Sequence, residues 1–195
     1  MNSELQALVF KNRGAALAVP ALLLLIFGKP NAFGVAVGLP FAFAGELLRC
    51  WAVGYSGVTT RGNAVTAPEL VTGGPYAYVR NPLYAGNFIT AAGFAIAFTG
   101  ANATAAKIAL IGGCLGAMAT VYAIIIPHEE KFLRARFGEA FVRYCESVPP
   151  IVPNLEPADA QQGTWKPGAI AQAETRTFIT FGVMLAALAV KALLV

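Results

Sequence analysis

Five apolar segments divide the chain, and each is long enough to be considered as a membrane helix. A helix that crosses a bilayer needs about 20 mostly apolar residues. The pattern therefore predicts an all-α fold, a polytopic membrane helix bundle of about five transmembrane helices. The predicted spans run from Leu5 or Gly14 to Phe27, from Ala32 to Trp51, from Leu83 to Gly100, from Ile108 to Ile126, and over 177–195.

Short and long connections alternate between these segments. The turns at 28–31 and 100–104 are rich in Gly, Pro and Asn, so each predicts a tight antiparallel hairpin of two helices. Both short turns then lie at one end of the bundle. The long polar connections at 52–82 and 127–176 lie at the other end, together with the N-terminus.

One of the long connections has helical periodicity. Over 129–148 the apolar side chains fall on a single stripe, which predicts an amphipathic helix on the membrane surface. Pro149 and Pro150 end it. We interpret 151–176 as an irregular linker to the last transmembrane helix at 177–195, within a single membrane domain over 1–195.

Composition agrees with a membrane protein. The chain is 57% hydrophobic and only 12% charged, whereas a soluble domain has about 25% charged residues. The net charge of +4 is not clustered on one helix, which argues against a nucleic-acid partner. Anionic membrane lipids are the more natural partners of this charge.

Positive charges are distributed unequally between the two ends. Eleven of the fourteen Lys and Arg residues fall on the side of the N-terminus and the long connections, and Lys29, Lys107 and Lys191 fall on the other. The positive-inside rule predicts that the N-terminus and both long connections are cytoplasmic. A site built from these connections would face the cytoplasm.

Cysteine and histidine usage gives no indication of a metal site. Cys50, Cys114 and Cys145 have no paired spacing and read as small buried hydrophobic residues. His128 alone cannot build a multi-histidine centre. We therefore expect no metal.

The stretch from Gly73 to Gly86 has an unusual composition for a link between membrane helices. Its glycines allow the backbone to approach a ligand closely, and Pro82 suits the first turn of the third helix. Tyr76 and Arg80 bring an amphipathic ring and a planar cation to the membrane surface. An interfacial aromatic belt with an arginine anchor is the alternative interpretation.

Carboxylates occur at two informative positions. Glu129 and Glu130 follow the fourth apolar segment. One interpretation is that they stabilise the positive end of the amphipathic helix that begins there. The other is that they bind a ligand at the mouth of the bundle. Glu46 and Arg49 are three residues apart on a membrane helix, where an ionisable residue is typical of a functional site. We favour the alternative interpretation, a self-contained ion pair near the membrane interface.

Glycines in the fourth segment predict close helix packing. Gly112 and Gly116 have the small-xxx-small spacing of membrane helix interfaces. No phosphate-binding glycine loop is present in the sequence.

The order of these features resembles a known superfamily. The stretch 70–86 (LVTGGPYAYVRNPLYAG) is followed by a hairpin, then by EEKFL at 129–133, FGEAF at 137–141, Tyr144, and Val148 with Pro149. This is similar to the integral-membrane methyltransferases of the isoprenylcysteine carboxyl methyltransferase and phospholipid methyltransferase superfamily. The resemblance covers residues 60–150.

The resemblance implies methyl transfer from S-adenosyl-L-methionine, held in a cytoplasm-facing pocket, to a lipidic or amphipathic acceptor that arrives from the bilayer. Glu129, Glu130 and Arg80 become the candidate catalytic residues. If the acceptor is an amine, Glu129, Glu130 and Glu46 are the candidates to accept its proton. The implied cofactor-binding residues are Arg61, Pro68, Glu69, Leu70, Val71, Tyr76, Asn81 and Glu129.

Two positions differ from the superfamily pattern. Asn81 stands where a histidine is usual, so this side chain can hydrogen-bond but cannot carry charge. Ile125 stands where the prenylcysteine enzymes have an arginine for the substrate carboxylate. The acceptor therefore stays open among a phospholipid amine, a prenylated thiol or carboxyl group and a small hydrophobic thiol.

Two other functional classes are compatible with the helix pattern. An NADPH-dependent membrane reductase of the steroid-reductase type would need more phosphate-binding cations than Arg61, Arg80 and the amphipathic helix supply. A non-enzymatic membrane protein would use the same motifs only to anchor helices.

Overall fold

The computed structural model describes residues 3–57, 66–159 and 161–194, and in these it is all-α with no strand. Five of the six α-helices are long and apolar enough to cross a membrane, which confirms the predicted fold class. The helices are α1 (Ser3–Phe27), α2 (Ala32–Ser56), α3 (Pro82–Thr99), α4 (Thr104–Phe137), α5 (Glu139–Ser147) and α6 (Gly168–Leu194).

The fourth helix is longer than its apolar segment. α4 has 34 residues, which is about 50 Å of helix against a hydrocarbon core of about 30 Å. It passes through Pro127, a residue that membrane helices tolerate when neighbours satisfy the freed backbone. Its last turns therefore extend beyond the apolar segment and include Glu129 and Glu130.

The predicted amphipathic helix over 129–148 was too long. The chain breaks at Gly138, whose φ of 54° is a backbone conformation that favours glycine. Only α5, from Glu139 to Ser147, is the separate amphipathic helix, and it buries Phe141 and Tyr144. The periodicity of the sequence did not reveal this break, because the segments before and after Gly138 are both helical and both mix charged with apolar residues.

The predicted linker over 151–176 was also wrong at its end. α6 begins at Gly168, nine residues before the predicted start at Thr177. The polar residues of this first part do not stop the helix, because Glu174 is turned into the bundle and is 1% exposed.

The short turns meet at one end of the bundle, as predicted. The Lys29 backbone N–H donates to Asn102 Oδ1 at 2.7 Å, and the Ala101 N–H donates to the Lys29 carbonyl at 2.8 Å. Lys191 Nζ near the end of α6 donates to the Gly28 carbonyl at 2.7 Å. The two hairpins and the end of α6 are therefore joined on the side opposite the long connections.

Glycines bring α2 and α3 into backbone contact. A Cβ on Gly38 would lie 2.3 Å from the Gly93 carbonyl oxygen, and one on Gly93 would lie 2.3 Å from the Ala42 nitrogen. Gly112 and Gly116 of α4 have nothing within 4 Å of an added Cβ. The prediction that these two α4 glycines pack within the bundle was therefore wrong, because that face of α4 points outward.

Gly93 and Gly112 make a matched pair for a stability test. We expect Gly93→Val to lower the free energy of unfolding by about 1–3 kcal/mol or more, as overpacking does. Gly112→Val should leave it nearly unchanged because an added side chain meets open space. Thermal melting of both variants in detergent measures this, and equal midpoints would contradict the packing described.

Candidate active site

A cavity of about 260 Å³ opens at the end of the bundle where the long connections lie. It lies between the loop that precedes α3, α5, and parts of α1, α2, α3, α4 and α6 near that end of the bundle. Arg61 lies outside the described residues. Every other predicted site residue lines this cavity, namely Pro68, Glu69, Leu70, Val71, Tyr76, Arg80, Asn81, Glu129 and Glu130.

The loop before α3 is shaped by its glycines and prolines. Gly74 has a φ of 60°, and a Cβ there would lie 2.3 Å from Cε2 of Tyr55. A short 3₁₀ helix over Gly74–Ala77 follows, and Pro82 begins α3 as predicted. The backbone can thus pass directly under the Tyr55 ring, which positions Tyr76 at the cavity.

The chain that follows α5 is not a free linker. Its backbone is hydrogen-bonded to the loop before α3 along its length, so the two segments form one wall beside the cavity. The bonds join the Arg80 N–H to the Pro149 carbonyl, Asn81 Nδ2 to the Pro150 carbonyl, the Asn154 N–H to the Tyr78 carbonyl, the Ala158 N–H to the Ala77 carbonyl, and the Thr72 and Gly73 N–H groups to the Gln162 carbonyl, all at 2.8–3.0 Å.

Arg80 joins this wall to α4 and to the end of α5. Its Nε donates to Glu130 Oε1 at 2.9 Å, and its Nη2 lies 2.8 Å from the same oxygen. Its Nη1 donates to the carbonyls of Val148 at 2.5 Å and Cys145 at 3.3 Å, near the end of α5. The Arg80 guanidinium is therefore occupied by protein groups, which favours a positioning role over direct contact with a ligand.

The two glutamates of α4 differ in their partners. Glu130 forms the ion pair with Arg80, whereas Glu129 accepts a hydrogen bond from Tyr84 Oη at 2.8 Å. Arg13 of α1 lines the same cavity. A carboxylate oriented by a neutral phenol retains acceptor capacity for a ligand. Glu129 is therefore the better candidate for contact with a bound molecule.

Two tyrosines at the cavity are hydrogen-bond donors near neutral pH. Burial raises the pKa of Tyr76 to about 12. Burial also raises the pKa of Tyr144, and its hydroxyl donates to the Tyr76 carbonyl at 2.7 Å. This bond ties α5 to the 3₁₀ helix and holds the Tyr76 backbone in place.

A polar network inside the bundle was only partly visible in the sequence. The predicted pair of Glu46 and Arg49 is present at 3.6 Å, but the closest carboxylate to Arg49 is Glu174, at 2.6 Å from Nη2. Arg49 also donates to Oδ1 of Asn87. The side-chain amide nitrogen of Asn87 in turn donates to Tyr122 Oη at 2.8 Å. The interpretation of a self-contained pair was incomplete, because Glu174 belongs to α6 rather than to a linker and lies against Arg49.

Asn87 and Glu174 are thus residues that the sequence reasoning missed. Both line the cavity. Each is a polar residue within the first two turns of an apolar helix, and this position could have marked it as a site residue. For Glu174 the position can be recognised only when α6 is known to begin at Gly168.

The described residues contain no group of three or more His, Cys, Asp or Glu side chains placed to hold a metal ion.

Comparison with known proteins identifies one family. The model of the phospholipid methyltransferase family matches residues 33–140, more than half of the chain. A cobalt-zinc-cadmium resistance protein of Cupriavidus metallidurans, CzcN, is 37% identical over 86 residues, which are 44% of this chain and 36% of that protein's length. No solved structure matches.

Proposed function

Because the chain belongs to the phospholipid methyltransferase family and its described residues include five helices long and apolar enough to cross a membrane, we propose that it transfers a methyl group from S-adenosyl-L-methionine to a lipidic or amphipathic acceptor. The cofactor would occupy the 260 Å³ cavity. The acceptor would arrive from the bilayer. By the positive-inside rule, the cavity and the N-terminus face the cytoplasm.

One observation supports this proposal most strongly. Residues 68–71, Tyr76, Asn81 and Glu129 come from two separate parts of the sequence, yet all of them line one cavity. These residues carry the motif resemblance in the sequence, which does not by itself require that they meet in space. A cavity shared by them is what a cofactor site of this family requires.

The chemistry of the cavity suits the cofactor. S-adenosylmethionine supplies an activated methyl group on a sulfonium, so the protein's task is to hold two molecules in line and exclude water. The Glu129 carboxylate would accept hydrogen bonds from hydroxyl or ammonium groups, and the backbone over 68–71 offers further polar groups. Correct positioning can supply about 7–11 kcal/mol of barrier reduction.

Glu129 would also be the group that takes a proton when the acceptor is an amine, since Glu130 is committed to Arg80. Arg80 would act through structure by holding Glu130 and the end of α5. Asn81 Nδ2 donates to the Pro150 carbonyl at 3.0 Å. Because an asparagine side chain does not ionise, Asn81 would contact the cofactor but would not act as an acid or base.

The activity can be tested directly with methyl-labelled S-adenosylmethionine. Purified protein in detergent is incubated with the labelled cofactor and an extract of membrane lipids, and the organic-soluble label is followed over time. We expect a labelled lipid product whose formation is suppressed by S-adenosylhomocysteine. Absence of both product formation and calorimetric binding of the cofactor would contradict the proposal.

A further inference from the structure

Arg13 of α1 lines the 260 Å³ cavity, although it belongs to neither of the sequence motifs. α1 ends before residues 33–140, the part of the chain that the family model matches, so the resemblance assigns no role to this helix. Arg13 also lies within the candidate membrane span Gln6–Phe27. An ionisable side chain in such a span costs free energy and by default indicates a function.

The Arg13 side chain is held at the cavity by its own helix. Its Nη1 donates to the Phe10 carbonyl at 2.7 Å, and its guanidinium carbon lies 4.0 Å from the centre of the Phe10 ring. The Phe10 ring in turn lies 6.0 Å from the ring of His128 on α4, measured between centres. A guanidinium has five N–H donors in a planar fork, which can hold a helix carbonyl and a ligand carboxylate at once.

Two other arginines are among the described residues that line the cavity, and carboxylates of the protein bind both of them. Arg49 Nη2 lies 2.6 Å from Glu174, and Arg80 Nη2 lies 2.8 Å from Glu130. A ligand anion at either arginine would have to compete with a carboxylate that is already bound. These two arginines therefore serve the walls of the cavity.

Glu129 faces the same cavity from α4. It lies close enough to Arg13 for an electrostatic interaction between the two side chains, and it accepts a hydrogen bond from Tyr84 Oη at 2.8 Å. A guanidinium on α1 and a carboxyl group on α4 together complement a ligand that carries both an anionic and a cationic group. The amino-acid end of S-adenosylmethionine is such a ligand, since it has an α-carboxylate and an α-ammonium.

We propose that Arg13 binds the α-carboxylate of S-adenosylmethionine in this cavity, with Glu129 beside the α-ammonium. The inference rests on the proposed function and adds to it a binding residue from α1. The guanidinium charge is permanent, so this contact does not depend on the protonation state of Glu129, and the planar fork matches a carboxylate with two parallel hydrogen bonds. The site should therefore distinguish cofactors by their amino-acid end.

Decarboxylated S-adenosylmethionine tests this assignment, because it differs from the cofactor only in lacking the α-carboxylate. Calorimetry on the purified protein in detergent measures the affinity for both compounds. We expect the wild type to bind S-adenosylmethionine about tenfold or more tightly, and Arg13→Gln to lose about tenfold or more in that affinity, as for a hydrogen bond between charged groups. The affinity of Arg13→Gln for the decarboxylated compound should not fall, because Arg13 repels its positive charge.

Lys11→Gln is the matched control. Lys11 is exposed on α1, two residues from Arg13, and does not line the cavity. Its loss removes the same charge from the same helix and should leave the preference for the carboxylate intact. Arg13→Lys keeps the charge but not the fork, so it should retain only part of the preference. If the glutamine variant fails to fold, the lysine variant carries the test.

Equal affinity of the wild type for the two compounds would overturn the inference, as would an unchanged preference in the Arg13 variants. Loss of labelled lipid product with unchanged cofactor affinities would assign Arg13 to an anionic group of the acceptor, and would overturn the inference too. These results leave the proposed methyl donor in place. Failure of the wild type to bind either compound would instead remove the proposed function, and this inference with it.

Discussion

Glu129→Gln is expected to weaken S-adenosylmethionine binding by about 10–100-fold. The substitution keeps the shape of the side chain and its contact with Tyr84 Oη, which is 2.8 Å from Oε1, but it removes the negative charge. A hydrogen bond to a charged group contributes about 1.5–3 kcal/mol, and each 1.4 kcal/mol is about tenfold in affinity. Calorimetry on the purified protein measures the change.

Glu139→Gln is the matched control for this experiment. Glu139 is the first residue of α5 and is exposed to solvent, so the same chemical change there should leave cofactor affinity within about twofold, as for surface substitutions generally. Similar losses in the two variants would show that Glu129 has no direct role in the cavity.

Arg80→Ala is expected to destabilise the wall of the cavity and to abolish cofactor binding with it. The change leaves Glu130 without its ion pair and frees the carbonyls of Cys145 and Val148. We expect the free energy of unfolding to fall by about 3 kcal/mol, since hydrogen bonds to a charged group contribute about 1.5–3 kcal/mol each and several are lost together. Thermal melting with and without S-adenosylmethionine measures both effects.

Arg143→Ala is the comparison for Arg80, because Arg143 lies on the exposed face of α5. It should melt close to the wild type and retain binding. A third variant, Arg80→Lys, separates charge from geometry. A lysine cannot reproduce the forked contacts to Glu130 and to the end of α5, so it should recover only part of the stability. Full recovery with lysine would contradict the positioning role.

The sequence predicted the helix bundle because membrane helices depend on local composition. Twenty apolar residues in a row satisfy their own backbone hydrogen bonds inside a bilayer, so few other structures are possible. Gly28 and Asn102 lie in turns that could be recognised in the same way. The cavity could also be anticipated, since the motif around Tyr76 and the motif around Glu129 pointed to a common ligand.

What the sequence did not predict depends on tertiary contacts. The start of α6 at Gly168 was hidden because Glu174 is polar, and only its pairing with Arg49 explains why it lies inside the bundle. The wall formed by the chain after α5 has no periodic signal, because backbone groups make its bonds to the loop before α3.

Glycine packing illustrates the same limit. Gly112 and Gly116 of α4 have the same four-residue spacing as Gly34 and Gly38 of α2, yet only the α2 pair approaches the backbone of a neighbouring helix. A spacing rule identifies a helix face with small residues. Which neighbour covers that face is decided by the order and packing of all helices.

Photo-cross-linking of labelled S-adenosylmethionine to the purified protein tests the central claim most directly, because peptide mapping reports where the cofactor lies. We predict label in the peptides that contain residues 66–84 and 127–133, and its loss when unlabelled S-adenosylhomocysteine is added. Label that appears only in other peptides, or that resists competition, would contradict a cofactor site in the 260 Å³ cavity.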